Sequence, residues 1–114
     1  MTSEKTIFQK VIDREIPGEF VHEDDKCVVI RDLHPRAPVH LLVIPRKPIP
    51  TLNDIGPGDA ALIGHLFLVA KDVVNGLGHA DYRTVFNCGA KAGQEVFHLH
   101  MHVLAGRSLS WPPG

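Results

Sequence analysis

The stretch Val96-Phe97-His98-Leu99-His100-Met101-His102-Val103-Leu104 alternates histidine with apolar residues from Phe97 to Val103. A period of two is the signature of an extended strand, in which successive side chains point to opposite faces. His98, His100 and His102 then share one face, and Phe97, Leu99, Met101 and Val103 share the other. A strand over 96–104, packed through its apolar face on a helix, is the expectation.

The rest of the chain supplies partners for that strand. Thr6 precedes Ile7, Phe8, Val11 and Ile12, which fall on one helical face, and Gln9 stands three residues after Thr6 at a capping-box spacing. Pro17-Gly18 ends this short helix. Residues 19–23 and 27–31 read as a hairpin around the polar turn Asp24-Asp25-Lys26. His40 to Ile44 is nearly all apolar, as in a central strand covered on both sides, and Pro45, Pro48 and Pro50 stop it. Residues 51–58 read as a long loop.

Leu62, Leu66, Val69, Ala70 and Val73 keep the helical period over about 59–74, with Ile63 and Phe67 widening the stripe and Asn75-Gly76 as the stop. Residues 82–87 form a further strand pattern, followed by a loop carrying Gly89 and Gly93. The sum is a single α+β domain over 1–114: a five-stranded antiparallel sheet, read as a meander, with two helices and an irregular tail at 107–114.

Composition excludes several function classes. The chain of 114 residues carries 12 Lys+Arg against 13 Asp+Glu, a formal net charge of -1, so it lacks the basic footprint of a nucleic-acid binder. No apolar run approaches the ~20 residues that cross a bilayer. The start, Met1-Thr2-Ser3-Glu4-Lys5, has no leader-like apolar core, and two cysteines without a C-x-x-C pair fit a reducing, cytoplasmic setting. The outlier is histidine, eight of 114.

Three readings of the histidine face compete: a solvated strand face, a zinc site with an open position for water, and nucleophilic catalysis on phosphorus. In the third, a neutral imidazole attacks while its neighbours orient it, bind phosphoryl oxygens and protonate the departing atom. His22, His65 and His79 are isolated and read as surface or structural residues; His34 carries no assigned role. Cys88 reads as a small packed residue.

The segment Gly93 to Arg107 resembles the signature of the histidine triad (HIT) family. Arg31-Asp32-Leu33-His34-Pro35-Arg36-Ala37-Pro38-Val39-His40-Leu41-Leu42-Val43-Ile44-Pro45 is similar to the Hint branch, the histidine triad nucleotide-binding proteins. Thr6-Ile7-Phe8, Ile16-Pro17 and Trp111-Pro112-Pro113-Gly114 match as well. The resemblance implies a purine nucleoside phosphoramidase that cleaves the P–N bond of AMP-type substrates, with GMP types and acyl adenylates as further candidates, and that needs no cofactor and no metal.

By that resemblance His100 is the nucleophile, His102 assists proton transfer, His98 supports the site and His40 is a further active-site histidine. Asn87 contacts the nucleotide, and Asp32 takes the ribose hydroxyls. Ile7, Phe8, Val11, Ile16 and Leu33 line the nucleobase pocket, and Gly93, Gln94 and Glu95 lie along the phosphate with backbone N–H groups free for it. The resemblance also implies a homodimer whose sheet continues across the two-fold axis, with Trp111 near the other subunit's site. Glu95 stands where eukaryotic members usually have Ser, which suggests a cationic leaving group such as lysine. Ala92 replaces a common Gly. The alternatives are a dinucleoside polyphosphate hydrolase of the same family and a non-catalytic nucleotide- or zinc-binding module.

Overall fold

The computed structural model describes residues 4–114. Met1–Ser3, where the stretch read as lacking a leader begins, lie outside the described residues. Helix α1 spans Ile7–Ile12, and Thr6 caps it by accepting the Gln9 N–H at 3.1 Å. The reciprocal half of the capping box is missing, because the Gln9 side chain turns to Asp13. Strands β1 (Phe20–Glu23) and β2 (Cys27–Arg31) form the expected hairpin, and β3 (Val39–Pro45) is buried along its whole length. Two short 3-10 turns, Leu52–Asp54 and Pro57–Asp59, occupy the predicted loop before α2, Ala60–Gly76. Strands β4 (Tyr82–Val85) and β5 (Met101–Ala105) complete the molecule.

The sheet is antiparallel with the order β1-β2-β3-β5-β4, so it is not the simple meander expected. Helix α2 carries the chain across the sheet after β3, and β4 lands one strand position beyond it. That leaves a slot which β5 fills, pairing with both. The helices lie on opposite faces. Leu66, Val69, Ala70 and Val74 of α2 pack with Cys27, Val29, Leu41, Val43, Leu99, Met101 and Val103. Val11 and Ile12 of α1 pack with Val28, Ile30, Leu42 and Ile44.

The last strand is shorter than its alternation suggests: β5 begins at Met101, not Val96. Its partner β3 ends at Pro45, which has no N–H for a ladder, and the Leu99 N–H goes instead to the Ile49 carbonyl at 2.7 Å. Leu99, Met101 and Val103 still reach the α2 core. Phe97 does not, and stays 46% exposed.

Candidate active site

The parity of the sheet decides which histidines meet. His40 pairs with Leu104 and His102 with Leu42, so both stand on the α1 face. Because α1 is short and covers only the β2–β3 side, the face over β5 is left for the imidazoles. His40 Nε2 lies 2.9 Å from His102 Nδ1. The rings of His40 and His102, and those of His100 and His102, are each 5.1 Å apart. Phe8 of α1 sets its ring edge against His100 at 4.7 Å. Asp32, just after β2, donates its N–H to the His40 carbonyl and places Oδ2 3.4 Å from His40 Nε2.

Backbone partners fix which nitrogen of each ring carries its proton. A carbonyl only accepts, so His100 Nδ1, 2.8 Å from the His98 carbonyl, is an N–H donor. In the neutral ring this leaves His100 Nε2 with a free lone pair. His98 Nε2 donates to the Pro45 carbonyl at 2.7 Å, so its Nδ1 accepts from the Thr6 hydroxyl at 3.3 Å. On the other side the Arg36 N–H donates to His40 Nδ1 at 3.0 Å, which puts the His40 proton on Nε2. That N–H points at His102 Nδ1, and His102 is left with its proton on Nε2. The site therefore presents one bare ring nitrogen, on His100, beside one N–H donor, on His102.

Burial holds all four rings below the ordinary histidine pKa. It is the first cause for His40, His98 and His100. His102 is brought down to about 4, by burial first and then by the neighbouring His100 and His40. Asp32 opposes the shift at His40, His100 and His102. At neutral pH the free site is a cluster of uncharged imidazoles.

The expected nucleotide residues divide into groups. Asn87 and Gly93 are neighbours: a Cβ built on Gly93, whose φ is +94°, would stand 3.6 Å from Asn87 Nδ2. The N–H groups of Gly93 and Gln94 donate to the carbonyls of Ala90 and Gly89, so they are not the free anion donors expected. The Gln94 side chain is buried as a loop staple, accepting from the Gly89 N–H and donating to the carbonyls of Pro50 and Val96. Glu95 is exposed. Val11 is enclosed in the α1 core at 6% exposure and offers a nucleobase little surface, whereas Ile7 and Leu33 are open at 51% and 82%. Ile16 packs partly against that core. Trp111 is 82% exposed on a tail held by Arg83 Nη2 on the Ser110 carbonyl.

Sequence reasoning missed three participants. Thr6 was legible as a helix cap but not as the hydroxyl behind His98. The Arg36 N–H and the Pro45 carbonyl carry no side-chain signal. A cleft of about 670 Å³ between residues 78–83 and 106–109 holds no triad histidine and is separate from this chemistry.

Asp32, His40 and His102 offer donor atoms within 4.8 Å of one another, a spacing a metal ion could use. The tautomers argue against it. In the free site His40 Nδ1 is the acceptor for the Arg36 N–H, so Nε2 keeps its proton and is not a free ligand. A cation would have to break both that bond and the His40–His102 contact.

Residues 5–110 match the family model described as the scavenger mRNA decapping enzyme C-terminal binding domain. The chain is 56% identical to a HIT-like protein of Synechocystis over 98% of this chain and 99% of that one. Among solved structures it is similar to a HIT family hydrolase from Legionella pneumophila (TM-score 0.94, 42% identity, covering 96% of this chain and 100% of that one). It is also similar to a histidine triad protein from Clostridium difficile (TM-score 0.91, 38% identity, 96% and 97% coverage).

Proposed function

The chain belongs to the histidine triad family, and from that premise we propose that it is a hydrolase of AMP-type purine nucleoside phosphoramidates, acting through a nucleotidyl-His100 intermediate. The observation that carries the reading is the pairing of a bare His100 Nε2 with an adjacent His102 Nε2–H. His100 Nδ1 is spent on the His98 carbonyl, so only Nε2 can attack.

The free site is neutral, and an anionic phosphoryl group brought against it favours the charged imidazole at His102; the proton, taken from solvent, occupies Nδ1 as the His40 ring moves its own proton to Nδ1 and turns a bare Nε2 to it. His100 Nε2 then bonds to phosphorus as the P–N bond breaks, and His102 gives its proton to the departing nitrogen. Water attacks the nucleotidyl-histidine in the second half. Its proton returns to His102, AMP leaves and His100 is regenerated, so no further reactant is needed. In this reading Asp32, whose carboxylate stands within 4.8 Å of the His40 and His102 ring nitrogens, takes the ribose hydroxyls and offsets the charge on His102. With AMP linked to a simple amine as substrate, His100→Ala should lower turnover by more than about 10³-fold. Full activity in that variant would overturn the assignment.

Glu95, exposed beside the loop that carries Gly93, favours a cationic leaving amine in this reading. The turnover ratio of AMP-lysine to a neutral AMP-amine should fall in Glu95→Ser, and an unchanged ratio removes the role.

The homodimer belongs to the same proposal. Strand β4 has one partner, β5, and its other edge is unpaired among the described residues. Beside it, Phe67 of α2 is 46% exposed and meets Phe86 at 6.0 Å, with Leu68 58% exposed next to it. A free sheet edge flanked by apolar side chains is a template for a second strand. Light scattering should give about twice the 12.6 kDa of one chain, and Phe67→Glu should return the mass toward the monomer.

A further inference from the structure

We propose that His22, Asp24, Cys27 and His65 form a binding site for a zinc-class divalent cation on the α2 face of the sheet, opposite the triad. His22 pairs with Val29, a residue of the α2 core, so its ring stands on that face. Asp24 caps the hairpin turn: its Oδ1 accepts the N–H groups of Lys26 and Cys27, each at 2.8 Å. That leaves Oδ2 aimed at the histidines. It lies 2.8 Å from His22 Nε2, 2.8 Å from His65 Nε2 and 3.6 Å from Cys27 Sγ. The donor atoms of His22, Asp24 and Cys27 are all within 4.8 Å of one another, and His65 arrives independently from α2.

Two imidazoles, one carboxylate and one thiol are the donor types zinc takes, and four is the number a closed tetrahedral site needs. Donors around tetrahedral zinc stand roughly 3.4 Å apart, so both rings would move outward from Asp24 Oδ2 by about half an ångström, and His65, which lies outside the 4.8 Å group of the other three donors, would also swing toward them. The site has an approach: the side chains of His22, Asp24 and His65 are 34%, 23% and 30% exposed, over a fully buried Cys27. Carboxylate and thiolate together balance a dication. Arg46, the nearby cation, is paired with Glu23.

The contrast with His40 decides between the two clusters. No hydrogen bond among the described residues fixes Nδ1 of His22 or His65, so each ring can shift its proton there and free Nε2. The thiol proton passes to solvent as the metal–sulfur bond forms, and nothing is oxidised or reduced.

The test is a titration of the 114-residue chain with Zn²⁺ against a competing chelator, and with Co²⁺ followed by absorption. One ion per chain is expected, with a thiolate-to-cobalt charge-transfer band. Cys27→Ser should abolish the band. His22→Gln and His65→Gln should each weaken Zn²⁺ binding by at least about ten-fold, and His40→Asn should leave it unchanged. No uptake of Zn²⁺, uptake that survives Cys27→Ser together with His65→Gln, or uptake lost in His40→Asn overturns the site. The last result would move the ion to the Asp32 cluster. Because the two clusters are separate, phosphoramidate turnover in the His65→Gln protein reports on the catalytic proposal independently.

Discussion

Two imidazole clusters occupy opposite faces of one sheet, and their partners differ in kind. On the α1 face the rings of His98, His100 and His40 hydrogen-bond backbone groups, at the Pro45 carbonyl, the His98 carbonyl and the Arg36 N–H. On the α2 face the rings of His22 and His65 bond a carboxylate, Asp24. A backbone partner cannot ionise or move away, so it sets the tautomer of the free site and leaves a chosen nitrogen bare. A carboxylate partner stabilises whichever proton is present, and can exchange it for a cation. The same side chain is thus preset for proton and phosphoryl chemistry on one face and left adaptable on the other.

That distinction is open to attack. After His100 itself, the largest effect is expected at Thr6, the positioning residue of the triad face. Its hydroxyl serves both the α1 cap and His98 Nδ1. Thr6→Val should lower stability by about 1 kcal/mol through the lost cap, and lower kcat about ten-fold with KM little changed. Thr6→Ser should restore both. A variant that loses stability but keeps kcat would show that His98 needs no hydroxyl behind it.

A smaller effect separates the clusters by pH. The triad rings are held below their unfolded pKa of about 6.5, so the folded state favours their neutral forms. The stability they contribute is complete above about pH 6.5 and is lost as pH falls, with His102 giving way down to about 4. Asp24 is the opposite type of group: hydrogen bonds from His22, the Lys26 N–H and His65 outweigh its burial and hold its carboxyl well below the usual range. Its contribution is present above about pH 3.9 and lost only below it. Urea midpoints measured against pH should therefore fall in two stages. His102→Asn should flatten the upper stage and Asp24→Asn the lower one, and a single stage insensitive to both would contradict the scheme.

The two clusters also differ in how far the sequence reveals them. His98, His100 and His102 fall within five residues, and their alternation alone places them beside an apolar strand face that packs on a helix. Alternation overstates the length of the strand, because it does not show that the register sets Leu99 opposite Pro45, where the partner ends. The Asp24 cluster draws on β1, its turn, β2 and α2, so His22 and His65 look isolated until the fold joins them. Helical period, apolar runs and turn residues together place both α-helices and all five strands in the sequence. The insertion of β5 between β3 and β4 was hidden because it depends on where α2 returns the chain. In the 89–94 loop two of the three N–H groups expected along the phosphate, those of Gly93 and Gln94, are spent on the loop's own carbonyls, where Gly89 and Gly93 take φ of 92° and 94°.

In the proposed reaction one nitrogen, His100 Nε2, is bare and carries the nucleotidyl group. Mixing enzyme with AMP-amine, quenching within the first turnover in alkaline denaturant and weighing the intact chain tests it directly. The prediction is one added nucleotidyl group per active chain, mapping to His100 and absent from His100→Ala. A label on His102, or turnover that proceeds with no labelled chain at any time, would contradict the account.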